Sequence, residues 1–218
     1  MKAESAKGSG ELNLVWQPLD IGATQVRNRT MMTAMGVFYG EDHILSDRHI
    51  AYYRARAKGG VGLMITEQQA GHRLSKGSFF AGCTAWEKRA IPQYEKLADA
   101  VHAEGARQFV QLFGCGVHDK GTMILDEWHP LWGISDIPSV VHREIPRVMG
   151  KAELADIAKG FGEAANNVKH AGLDGVELHA AHSYLFGQVL SPAYNTRTDE
   201  YGGSTAKRCR LIVDVAEE

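Results

Sequence analysis

The sequence predicts an α/β fold built on a parallel sheet, and three observations carry that expectation. Four strand-like runs alternate with helix-like runs along the chain. Gly60, Gly105 and Gly172 stand just before the last three of those strands, where each would end the preceding helix in a left-handed conformation. A polar cluster, Glu177, His179, His182 and Tyr184, falls where the fourth strand runs out. That is the end at which parallel α/β proteins build their sites.

The elements follow in order. Residues 1–27 form a polar start. Strands are expected at 29–35, 61–67, 106–113 and 173–179, each apolar or alternating over a strand's length. Helices fall between them at 47–58, 92–103 and 151–170. In the last, Leu154, Ile157, Ala158, Phe161, Ala165 and Val168 recur at three and four. A fourth helix starts at the N-cap Ser204 and places Leu211, Ile212 and Val215 on one side. Repeated βα units imply parallel pairing with right-handed crossovers. The stretch 114–150, with Trp128 and Trp132, is too long for an ordinary connection and reads as a functional excursion at the site face.

Composition narrows the function. At 218 residues and 44% hydrophobic, the chain can bury a sizeable core. With net charge −2 and no basic cluster interleaved with aromatics, no nucleic-acid partner is expected. Cys83, Cys115 and Cys209 are odd in number and far apart, which suits a reducing compartment rather than a disulfide framework. The start has no apolar signal core, and no run reaches bilayer-spanning length, so no membrane association is expected and the cytoplasm is the expected location.

Several residues carry chemistry. His179, His182 and Tyr184 lie within six residues, and Glu177 shares a strand face with His179 because side chains alternate. Tyr184 could give a proton as a substrate carbanion develops, with both histidines donating hydrogen bonds to the substrate oxygen. A core histidine beside a surface histidine and tyrosine is the plain alternative. As metal ligands the histidines offer His-x-x-His without a third ligand at a usable spacing, so no metal is expected. The small residues of Thr33-Ala34-Met35-Gly36 would let a flat ligand lie against the backbone, although alone they read as a buried strand ending in a glycine turn. The Gln111 carboxamide, one donor group beside one acceptor, matches the edge of an imide-like heterocycle; alone it reads as a glutamine satisfied by backbone. The loop 191–204, dense in Arg, Asp, Asn and paired Gly, is expected to be a fixed, hydrogen-bonded structural loop.

Taken together, these residues have a familiar look. Val26-Arg27-Asn28-Arg29, Gly62-Leu63-Met64-Ile65-Thr66-Glu67, Gln111-Leu112, the run from Glu177 through His179, His182 and Tyr184 to Leu185, and the loop 195–204 resemble the old yellow enzyme family. These are FMN-dependent NADH:flavin oxidoreductases, including 2,4-dienoyl-CoA-reductase-like and trimethylamine-dehydrogenase-like barrels, and the resemblance runs from Trp16 to the end. It implies a (β/α)8 TIM barrel with FMN across its carboxyl-terminal mouth. Thr33, Ala34, Met35, Gly36 and Gln68 would line the flavin, and Gln111 would bind its pyrimidine edge. His179 and His182, with Phe38 nearby, would hold the substrate, and Tyr184 would donate the proton. The implied reaction uses NADH or NADPH to reduce the activated C=C bond of an α,β-unsaturated carbonyl compound.

The pattern also departs from that family. Ala34 stands where proline is frequent, Gly36 where cysteine or threonine is, and Phe38 where tyrosine is. Gly114 and Val117 replace a frequent histidine and arginine, which bears on flavin potential and substrate choice. Only four βα units are visible, whereas a closed barrel takes eight strands and roughly 250 residues. The expected organisation is therefore a barrel-bottom cap at 1–27 and βα units 1–4 at 28–218, the amino-terminal part of a single FMN-binding barrel. Self-association or a missing carboxyl-terminal half is the expected partnership. An amine-dehydrogenase-like flavoprotein and a non-catalytic half-barrel are the alternatives.

Overall fold

The computed structural model describes residues 12–75, 82–119, 129–140 and 142–218. A 3-10 turn, Asn13–Trp16, leads into a hairpin of β1 (Leu19–Ile21) and β2 (Thr24–Val26), which turns at Gly22 with φ +59°. Then come β3 (Met31–Met32), α1 (Asp47–Lys58), β4 (Leu63–Ala70), β5 (Cys83–Thr84), α2 (Ile91–His102) and β6 (Arg107–Phe113). The excursion carries a short pair, β7 (Trp132–Gly133) with β8 (Arg147–Val148). It is followed by α3 (Lys151–His170), β9 (Gly175–Leu178), α4 (Leu185–Leu190), α5 (Thr205–Arg208) and α6 (Arg210–Glu217). Trp128 and the reading of it lie outside the described residues, as do residues 1–11 of the polar start.

The main sheet runs β3-β4-β6-β9 with every pairing parallel, and β5 joins the outer edge of β4. This is the expected βα alternation. Gly60, Gly105 and Gly172 each take positive φ, at +105°, +76° and +78°, which turns the chain out of α1, α2 and α3 toward the next strand. The predicted helices 47–58 and 151–170 match α1 and α3.

Four boundaries move. The first strand, expected over 29–35, pairs only at Met31 and Met32, because β5 takes the same edge of β4 further along, at Gln69 and Ala70. Thr33–Gly36 therefore continue as extended chain outside the sheet. The second strand lies at Leu63–Ala70 rather than 61–67, the fourth is shortened to Gly175–Leu178, and the last helix is two segments interrupted at Cys209.

The core fills the space between the sheet and its helices. Val110 and Leu112 of β6 and Met64 of β4 face Tyr94, Leu97 and Val101 of α2 and Leu154, Ile157 and Phe161 of α3, all nearly inaccessible to solvent. Full burial of each Leu or Ile contributes about 1.5–3 kcal/mol. Leu211 and Val215 place α6 against α3.

The amino-terminal ends of the strands are tied together by polar side chains. Asp174 accepts from Gln108 N–H at 2.9 Å, His102 Nε2 at 2.7 Å and Arg107 NH1 at 3.3 Å. Arg27 donates to the carbonyls of Ala57, Val61 and Glu104 at 2.6–2.9 Å, gathering the ends of α1 and α2. The hairpin joins this end through Thr24 Oγ1 to Asp174 O and Arg107 Nε to Gln25 O. That leaves the opposite, carboxyl-terminal end for the site. Among the described residues, no helix is long and apolar enough to cross a membrane.

Candidate active site

Register brings the site residues together. Gln68 of β4 is level with Gln111 of β6, and Gln111 with Glu177 of β9, so three polar side chains cross one sheet face at one height. Gln111 Nε2 donates to Glu177 Oε1 at 2.6 Å. Between Ile65 and Gln68 the register slips by one residue, a bulge that returns Gln68 to this face.

Beyond Glu177 the strand ends at His179, whose N–H still bonds Leu112 O at 2.9 Å. The chain then turns through His182 and Ser183, both in the left-handed region at φ +56° and +57°. Non-glycine residues hold such conformations only where the surroundings fix them. Here Gln188 fixes them. Fully buried, it accepts from Val117 N–H at 3.1 Å and donates to Cys115 O at 3.3 Å and Ser183 O at 2.6 Å. Leu185 N–H adds a bond to Gly114 O at 2.9 Å. Tyr184, at the start of α4, is thereby set against the end of β6, its ring 4.7 Å from that of Phe113 and 5.2 Å from that of His179.

Each of the three groups can donate a hydrogen bond. Burial, and then the neighbouring His182, hold His179 below the usual histidine range, with Glu177 opposing. His179 Nδ1 accepts from Ala181 N–H at 3.3 Å, so its proton is assigned to Nε2, 3.3 Å from His182 Nδ1. His182 is exposed, His179 buried and Tyr184 half-buried. Burial, with the Cys115 thiol adding to it, raises the Tyr184 phenol above its usual range and keeps it protonated. Two imidazoles and a phenol with ring centroids 5.1–6.4 Å apart can bind one carbonyl oxygen and deliver one proton.

The expected cofactor-lining residues lie at the same, carboxyl-terminal end of the sheet, following β3 and on β4 and β6. Thr33, Met35 and Gly36 are exposed and Ala34 half-buried. A Cβ on Gly36 would come within 2.8 Å of the Phe38 ring, so a larger residue there would displace that ring. Phe38 is 43% exposed and its backbone has φ +51°. A small-residue backbone with the carboxamides of Gln68 and Gln111 at the same sheet end is a donor and acceptor set that fits the flat heterocycle of a flavin.

Sequence reasoning missed Phe113, Gln188 and His118. The His118 ring meets those of Tyr184 and Tyr194 at 6.1 and 6.0 Å, close to where Val117 and Gly114 depart from the family pattern. It also missed Glu67, whose signal was a carboxylate at the end of an apolar strand. The loop reading holds. Arg197 donates to Asp199 and to Met149 O at 2.6 Å, and Asn195 Nδ2 to Val189 O and Tyr201 O at 2.7 and 2.8 Å.

Known proteins resemble this chain in sequence and fold. A metal reductase of Desulforamulus reducens is 36% identical over 94% of this chain, which covers 30% of that protein. A multifunctional alkene reductase/demethylase of Caballeronia cordobensis is 30% identical over 93% of this chain and is likewise covered over 30% of its length. Morphinone reductase, solved in complex with tetrahydroNAD, superposes with a TM-score of 0.86 at 25% identity over 93% of this chain and 59% of its own. The chain thus spans about a third to three fifths of these relatives, and its βα units are a partial (β/α) barrel of the old yellow enzyme type. Residues 14–218 match the NADH:flavin oxidoreductase / NADH oxidase family, and the chain belongs to that FMN-dependent family.

Proposed function

We propose that the protein is an FMN-dependent oxidoreductase that uses NADH or NADPH to reduce the activated C=C bond of an α,β-unsaturated carbonyl compound. Residues 1–27 would cap the barrel bottom and 28–218 would form its first four βα units, in a cytoplasm where the free thiols of Cys83, Cys115 and Cys209 stay reduced. The observation that carries the reading is the juxtaposition of His179, His182 and Tyr184 at the end of β9, one residue pair above the Gln111–Glu177 contact.

Thr33, Ala34, Met35, Gly36, Gln68 and Gln111 would hold the isoalloxazine. FMN held there would supply hydride chemistry, drawing on NADH or NADPH to reduce the substrate β-carbon. His179 and His182 bind the carbonyl oxygen and stabilise the charge that grows on it as an enolate forms. They do so by hydrogen bonding, while the proton comes from Tyr184. Tyr184 gives its proton to the α-carbon, and Phe38 bounds the substrate space. A carbonyl-bearing substrate is favoured over an amine because the site offers donors and, at neutral pH, no carboxylate among the three groups.

Stopped-flow spectroscopy of the FMN-loaded protein tests this. Tyr184→Phe should slow flavin reoxidation by an enone at least about a hundredfold, the usual scale for losing a general acid, while flavin reduction by nicotinamide stays nearly unchanged. Equal slowing of both half-reactions would remove Tyr184 from its role.

A further inference from the structure

Glu67 is a carboxylate of 1% side-chain exposure that the proposed chemistry leaves unused. It sits in the β4 bulge and is turned away from the flavin-facing side toward α1. Each of its polar groups is engaged. Its N–H donates to the Tyr53 hydroxyl at 2.8 Å, and its carbonyl accepts from Thr66 Oγ1 at 2.8 Å and Gln69 Nε2 at 3.2 Å. Oε1 accepts from His49 Nε2 at 2.7 Å. Oε2 accepts from two successive backbone N–H groups, Val37 at 2.5 Å and Phe38 at 2.7 Å.

Glu67, His49 and Cys83 have ligand atoms within 4.8 Å of one another, a spacing that could hold a metal ion. Their hydrogen bonding points elsewhere. His49 Nδ1 accepts from Ser46 N–H at 3.2 Å, so Nε2 keeps its proton for Glu67 and neither nitrogen is left to ligate. Burial pushes the Cys83 thiol up to about 12.

The two captured amides lie just past Gly36. Phe38 is held in the left-handed region at φ +51°, and paired N–H groups closing on one anion are the arrangement that stabilises such a turn. The same turn lays the Phe38 ring against Gly36.

We propose that Glu67, braced by His49, is the positioning residue for the turn 33–38: its buried carboxylate fixes the Val37 and Phe38 amides and so sets the course of the backbone on which the flavin lies and the place of the Phe38 ring. The part concerning flavin rests on the function proposed above; the anchoring does not.

Amide hydrogen exchange by NMR and an FMN titration followed by flavin fluorescence test both parts. In Glu67→Gln one acceptor oxygen is lost and an N–H faces the His49 donor. Exchange of the Val37 and Phe38 amides should quicken about tenfold or more, and the FMN dissociation constant should rise by about the same factor. His49→Gln can still accept from Ser46 and donate to Glu67, so both readouts should stay near wild type. Asp174→Asn breaks a buried carboxylate at the far end of the strands and should lower the melting temperature while moving neither. If Glu67→Gln does not fold, His49→Leu reads the same anchor through several-fold faster exchange at the two amides. Unchanged exchange in Glu67→Gln, or in His49→Leu, overturns the proposal, as does an equal rise of the FMN dissociation constant in Asp174→Asn. A wild-type protein that takes up no FMN would sink the flavin reading alone, and exchange would then decide the anchor.

Discussion

His179 is 9% exposed and lies 3.3 Å from His182, so burial and a neighbouring imidazole both oppose its protonation. His72 and His118 are held low in the same direction, burial again being the largest cause, with Asp156 opposing at His72. A histidine whose folded pKa is depressed adds no pH dependence while both states are neutral. As pH falls below the ordinary value of 6.5, the unfolded chain takes up protons that the fold refuses, and stability drops until the folded values are passed. Melting temperature should therefore fall between about pH 7.5 and pH 5.5; a rise over that range would contradict the burial argument. At this scale the sequence disclosed His179, His182, Tyr184 and Gln111, because strand alternation alone puts Glu177 and His179 on one face. Glu67 and Gln188 stayed hidden, since their partners at Val37 and Val117 lie 30 and 71 residues away and only the folded chain brings them near.

Among the elements, the loop between α4 and α5 is held by side-chain hydrogen bonds from Arg197 and Asn195. A Cβ on Gly202 would lie 2.1 Å from Arg197 O, a backbone atom with no room to retreat. Gly202→Ala should cost about 1–3 kcal/mol and lower the urea midpoint with an unchanged slope. An unaltered midpoint would show that the loop yields. The polar composition of this loop made its rigidity readable in advance. Helices α1 and α3 were readable as well, through a glycine stop and a sustained apolar period. The first strand was not: its residues suit a strand throughout, but the edge it would extend along is occupied by β5, a two-residue strand with no sequence signal of its own. Likewise the interruption at Cys209 has no counterpart in the helical periodicity, which continues through Leu211, Ile212 and Val215.

In the whole molecule, β3 and β9 are the two edges of the main sheet. Met31 on one is 53% exposed and Val176 on the other 36%. Open parallel edges carrying apolar side chains invite further strands, so the 218-residue chain should form dimers or larger species at micromolar concentration. Light scattering that returned a sharp-melting monomer would overturn that expectation. The central claim concerns the other end of the strands, where a flavin on Thr33–Gly36, Gln68 and Gln111 would lie beneath His179 and His182. Its most direct test is a phenol titration of the protein in excess FMN, because a phenolate held by the two histidines over the flavin produces a long-wavelength charge-transfer band. The band should saturate in the wild type and weaken in His179→Ala and in His182→Ala, each change costing roughly 2–4 kcal/mol if each histidine acts as a single oxyanion donor. A band of equal strength and affinity in both variants, or none in the wild type, would contradict the account.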